Sequence, residues 1–173
     1  MRATRLFPLL CLALVTGCGG TPPPAPASGG PPAPTSAAGN GAAAPQCPAE
    51  SAILSTLGIT VTKVKDPTRS GTTSVLCSYD GERAGGKPAV VMVRLQTGAS
   101  AADMAEYRRK SVAQGLAVTD RSGIGDEAFV YVLGAVPDPL NSLVTRKGDR
   151  LVYIASAVSY DQEIVLANQL FAG

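Results

Sequence analysis

The chain has no histidine and no tryptophan among its 173 residues. Without histidine there is no Ser-His-Asp triad, no Cys-His couple and no ordinary zinc site. A Ser-Lys arrangement would be the remaining route to an activated serine, yet no Ser-x-x-Lys occurs. The nearest cluster, Arg108-Arg109-Lys110-Ser111, has the reverse order and falls on a predicted helix. Paired carboxylates could serve glycan chemistry. Asp126 and Glu127, however, are sequence neighbours, which point apart in an extended chain. No catalytic residue is therefore assigned, no metal site and no cofactor are expected, and the chain reads as a non-enzyme.

An excess of charge is also missing. Fifteen Lys and Arg face thirteen Asp and Glu. Two of the fifteen, Arg2 and Arg5, lie in the N-terminal segment, which leaves thirteen of each sign for the remainder. A neutral chain has no electrostatic footprint for a polyanion. Arg108-Arg109-Lys110 would wrap around a helix without forming a patch. Nucleic acid is thus excluded as an expected partner.

What is present begins at the N-terminus. Arg2 and Arg5 precede an apolar run from Leu6 to Val15, which is too short to span a bilayer permanently, and small residues follow. A cationic start, a brief apolar stretch and small residues before a cut make a secretory signal over 1–17. The string Leu14-Val15-Thr16-Gly17-Cys18 resembles the lipobox of bacterial lipoproteins. That resemblance implies acylation of Cys18, cleavage just before it, and a lipid anchor at the outer face of the cytoplasmic membrane. Two or more acyl chains anchor stably where one does not.

The four cysteines can each be given a place. Cys11 leaves with the signal and Cys18 carries lipid. Cys47 and Cys77 remain, in a compartment where disulfides persist. An even pair in an exported domain predicts a Cys47–Cys77 bridge closing a loop of about 30 residues, worth roughly 3–4 kcal/mol in the chain-entropy account. The alternative is two free buried thiols. Between the lipid and the first of this pair, 18–46 is rich in Pro, Ala and Gly and carries no charge, aromatic or large aliphatic side chain. Nothing there offsets the entropy of ordering, so it is predicted to be a disordered tether. As a coil it holds the domain about 30 Å from the membrane.

The folded domain is predicted over 47–173, with helices near 48–57, 100–114 and 160–171. Pro48 suits a first helical turn, and Gly58 suits the residue after a helix. Ser100 with Asp103, and Ser159 with Gln162, sign capping boxes. The second helix offers a weak apolar stripe of Ala101, Met104, Ala105 and Val112; the third offers Ile164, Ala167, Leu170 and Phe171. Strands are predicted at 59–65, 72–79, 89–95, 116–119, 128–133, 140–146 and 151–158, with 80–87 as a Gly-rich loop. Val75, Cys77 and Tyr79 share one strand face. Ala89 to Leu95 is apolar on both faces apart from Arg94, as a central strand would be. Lys147-Gly148-Asp149 is the tightest hairpin signal. Runs of strands with isolated helices predict an α+β class with antiparallel pairing.

Gly123-Ile124-Gly125-Asp126-Glu127-Ala128-Phe129 is the most distinctive internal string. A phosphate-binding loop would lie between a strand and a helix, whereas these glycines precede a strand. The reading adopted is structural. Gly123 and Gly125 permit a tight turn, Asp126 caps backbone donors before the strand, and Phe129 is buried beside Tyr131. With the lipobox, the tether, Cys47 and Cys77-Ser78-Tyr79, this string is similar to small actinobacterial lipoproteins that carry an extracytoplasmic domain of unknown function. Mycobacterial members and the extracellular sensor domains of some actinobacterial serine/threonine kinases share the scheme. The resemblance covers about 47–173. It implies an α+β domain with the Cys47–Cys77 bridge and carries over no catalytic residue.

Two functions follow as expectations. One is an envelope lipoprotein with a non-catalytic binding or accessory domain for a protein or a cell-wall polymer. The other is a carrier or sensor of a small apolar ligand held between sheet and helix. The sequence does not specify an oligomeric state.

Overall fold

A computed structural model describes residues 44–134 and 139–173. The expected signal peptide, the lipidation site Cys18 and most of the tether lie outside the described residues. The elements in chain order are α1 (Glu50–Leu57), β1 (Thr60–Val64), β2 (Thr68–Ser70), β3 (Ser74–Arg83), β4 (Lys87–Thr97), α2 (Ala101–Ala113), β5 (Thr119–Arg121), β6 (Glu127–Leu133), β7 (Leu140–Lys147), β8 (Arg150–Ser156) and α3 (Tyr160–Ala172). All eight strands join one antiparallel sheet in the order β1-β3-β4-β8-β7-β6-β5, with β2 also pairing β3. The fold is α+β.

Alternation along the strands sorts side chains to two faces. Val75, Cys77 and Tyr79 of β3, Val91 and Val93 of β4, and Val152 and Ile154 of β8 join Ile53 and Leu57 of α1 and Leu166 and Ala167 of α3 in one core. Phe129 and Tyr131 of β6, Val144 of β7 and Leu151 of β8 join Met104 of α2 in a second core on the opposite face. Helices therefore cover both faces, as a central sheet with two apolar sides requires. Phe129 and Tyr131 are buried with ring centroids 6.1 Å apart, as expected for that strand.

Several boundaries differ from the sequence expectations. The segment 80–87 is not a loop: β3 runs to Arg83 and β4 starts at Lys87, leaving a short turn with Gly85 and Gly86 at φ 82° and 69°. Gly81 has the look of a loop residue, yet it stands inside a strand. A Cβ there would meet Thr60 O and come within 2.8 Å of Ile59 Cγ2, so glycine lets β1 approach closely. The strand expected at 116–119 is displaced to β5; Leu116 and Val118 pack instead into the core beneath α2. The 68–70 stretch, outside any predicted strand, forms β2. α1 starts at Glu50, two residues after Pro48, with no side-chain cap.

The helix faces also differ from the predicted stripes. Val112 of α2 is exposed, while Met104 and Ser111 are buried. In α3 both capping-box bonds form at Ser159 and Gln162, but the buried residues are Glu163, Leu166 and Ala167; Ile164, Leu170 and Phe171 are half-buried. The rotation of a helix is set by what the sheet offers it, which a weak apolar stripe does not reveal.

Candidate functional site

The arrangement most able to hold a ligand arises where β8 is shorter than its neighbour. β8 stops at Ser156, opposite Val91, whereas β4 extends back to Lys87. Lys87 to Val90 are therefore paired on one side only, by Arg83 to Asp80 of β3. β7 starts at Leu140 on the far side of β8, where Asn141 faces Ser156. The place that a longer β8 would occupy is a cleft of about 470 Å³, with Arg83, Lys87, Val90, Leu140 and Ala157 among its walls. That falls in the range of small-molecule sites, about 300–1,000 Å³. The cleft lies at an end of the sheet and not between sheet and helix.

Two side chains hold the chain where it leaves the ladder. Arg83 Nη1 donates to Ala157 O at 2.8 Å, and Asn141 Nδ2 donates to Val158 O at 2.6 Å. They satisfy carbonyls that a longer strand would have paired, and α3 then starts at Tyr160. Arg83 and Lys87 stand directly opposite each other in the β3–β4 register. Like charges at opposed positions are unfavourable. Arg83 Nε is moreover buried with no hydrogen-bond partner, a cost of about 1–3 kcal/mol. No carboxylate lines the cleft among the described residues. Asp80, further along β3, is held by Lys65 at 2.9 Å.

The residues singled out in the sequence lie elsewhere. Cys47 and Cys77 form a disulfide with Cα atoms 5.7 Å apart. It ties the segment leading into α1 to the middle of β3, and Tyr79 supports the same segment by donating from its hydroxyl to Pro48 O at 2.6 Å. Burial, and secondarily the charge of Glu50, pushes the Tyr79 hydroxyl up to about 12, so it stays a donor. Gly123 and Gly125 both have positive φ, at 83° and 59°. A Cβ at Gly125 would meet Arg146 O and stand 2.7 Å from Thr145 Oγ1, so β7 passes too close for a side chain there.

Asp126 acts on a neighbouring turn, not on its own. Its Oδ2 accepts from Gly148 N at 2.8 Å, which fastens the β7–β8 hairpin. Asp126 and Glu127 also converge, contrary to the expectation for an extended pair. Arg146 reaches Asp126 Oδ2 at 3.4 Å and Glu127 Oε1 at 2.7 Å. Asp126 precedes β6 and escapes its alternation. The string is a turn that joins β6 to the hairpin beside it.

Glu163 was not foreseen. In sequence it is an acidic residue in the first turn of a helix, which commonly serves the helix dipole from solvent. Here its side chain is fully buried. Oε1 accepts from Ser156 Oγ at 2.7 Å, and Oε2 has no partner. Burial raises its pKa from 4.5 to about 8, against the lowering effect of the Ser156 hydrogen bonds. Arg83 and Lys87 were likewise missed, because they flank a Gly-rich turn that reads as a solvated loop.

Two other clefts, each about 340 Å³, are less suited to a ligand. One lies between α2 and β5, where Arg108 is already paired with Asp120 and stacked over Phe129, 4.8 Å from the ring centroid. The other adjoins Ala44 to Gln46 and the C-terminal Gly173. No protein-family model matches the chain, and neither the curated proteins nor the solved structures give a significant match.

Proposed function

We propose that this chain is an exported lipoprotein, anchored through Cys18 at the outer face of the cytoplasmic membrane. Its 47–173 region serves as a non-catalytic binding domain for an envelope protein or a cell-wall polymer. The observation that carries this reading is the Leu14-Val15-Thr16-Gly17-Cys18 string behind a cationic, apolar leader. The Cys47–Cys77 disulfide supports it, since such bonds persist in oxidising compartments. The absence of histidine supports the non-catalytic part. The Gly-Ile-Gly-Asp-Glu-Ala-Phe string supports kinship with the actinobacterial lipoproteins named above. Labelling cells with an alkyne fatty acid should mark the wild-type chain and not Cys18→Ser. Equal labelling of the two would overturn the anchor.

A second reading, a carrier or sensor of a small apolar ligand, is favoured by one specific observation. The cleft beyond the end of β8 has apolar walls in Pro88, Val90, Leu140 and Ala157, although it lies at the end of the sheet and not, as expected, between sheet and helix. Native mass spectrometry of the mature chain purified from its own host separates the readings. A bound small molecule decides for the carrier, and a protein captured by crosslinking in the envelope decides for the adaptor.

A further inference from the structure

The cleft at the end of β8 has a chemical polarity that narrows its ligand. At one side Arg83 and Lys87 stand opposite each other with like charge. Arg83 is already fixed by its bond to Ala157 O, so its guanidinium is pre-oriented. Away from these cations the walls among the described residues are Pro88, Ala89, Val90, Leu140 and Ala157, which offer no charged side chain. A neutral apolar ligand would leave two opposed cations uncompensated. A small inorganic anion would leave the apolar walls wet. A molecule with one charged end and one apolar chain answers both.

We propose that this cleft binds a single-chain amphiphilic anion, with its carboxylate or phosphate head between Arg83 and Lys87 and its chain passing through the gap beyond Ser156 to Val90, Leu140 and Ala157. The inference rests on the second reading above and adds the charge of the ligand to it. Binding involves no covalent step. The head replaces water on two cations, and charge-assisted hydrogen bonds to a guanidinium are among the stronger ones available. The ligand is a free molecule in solution and not the surface of a bilayer, because the apolar walls lie in a cleft of about 470 Å³ that a lone chain can enter.

Calorimetric titration of the full chain carrying Cys18→Ser, which removes any covalent acyl group, tests this with decanoate, decanol and acetate as probes. Decanoate should bind, and decanol and acetate should each bind at least about tenfold more weakly, the loss expected when a charge-assisted pair or a buried chain is missing. Arg83→Gln should weaken decanoate by a similar factor. Arg83 also supports the backbone at Ala157, so Lys87→Gln, an exposed position, is the companion variant. It should weaken decanoate several-fold, at least about fivefold for a partly screened charge, with a melting temperature that is not lowered, since the repulsion with Arg83 is relieved. Equal binding of decanol and decanoate would overturn the anionic head while leaving an apolar-ligand carrier standing. No binding of either would overturn both. Binding to anionic vesicles without binding of free decanoate would overturn the free-ligand assignment, as would unaltered decanoate affinity in both variants.

Discussion

Replacing Glu163 by glutamine should convert a pH-dependent domain into one far less sensitive to alkali. The side chain is fully buried, one oxygen is held by Ser156 Oγ at 2.7 Å, and the other is unpartnered. Folding must therefore take up a proton at this position wherever the unfolded chain has lost it. The folded-state pKa of about 8 lies above the ordinary 4.5, so the folded state binds more protons through that interval. Stability from this group is complete below about pH 4.5, falls as pH rises toward 8, and is flat above. At about 1.4 kcal/mol per pH unit, the wild type should lose about 3 kcal/mol between pH 5 and pH 7 relative to Glu163→Gln. The glutamine keeps the size and can still accept from Ser156, but it leaves its amide unsatisfied, at a pH-independent cost of about 1–3 kcal/mol. The diagnostic is therefore the slope and not the offset. Urea unfolding of both chains at pH 5, 6, 7 and 8 gives the two curves, and other titrating groups cancel in their difference. Parallel curves across this range would refute the burial of an uncompensated carboxyl at the foot of α3.

Three further outcomes are expected. Replacing both Cys47 and Cys77 by alanine should cost roughly 3–4 kcal/mol, from a bridged loop of sequence separation 30; free thiols at these two positions in the denatured, unreduced chain would contradict the bridge. Gly125→Ala should destabilise by at least about 2 kcal/mol, since it adds the close approach of Arg146 O and Thr145 Oγ1 to the backbone cost of positive φ. Gly123→Ala meets no atom within 4 Å and should cost only the backbone part, about 1 kcal/mol, so equal melting temperatures for the two variants would argue against the packed turn. Asp126→Ala should cost roughly 0.5–2 kcal/mol by releasing Gly148 N, and amide exchange at Gly148 should quicken; unchanged exchange there would show that the carboxylate does not fasten the hairpin.

The α+β class, three helices and the bridging cysteines were legible in the residue order because each depends on local chemistry. Capping boxes at Ser100 and Ser159 satisfy their own first turns. Alternation of Val75, Cys77 and Tyr79 marks a strand with one buried face, whatever lies beside it. The turn nature of Gly123 to Asp126 was readable for the same reason, although its partner was not. That Asp126 serves the hairpin at Gly148 depends on β6 lying next to β7, which brings together two residues 22 apart in sequence.

Tertiary structure alone decided the positions where strand length and helix rotation matter. Gly81 reads as a breaker until β1 is laid against it. Glu163 reads as a solvated first-turn acid until α3 is rotated onto the sheet beside Ser156. Arg83 and Lys87 read as loop charges until the β3–β4 hairpin is seen to extend past Ser156. The cleft exists because β8 leaves the ladder before β4 does, and a strand's end is set by what competes for its backbone: here Arg83 and Asn141 take the carbonyls of Ala157 and Val158. No local pattern encodes that competition. The residues in it come from two strands and the segment that follows a third, and only the folded sheet brings them together.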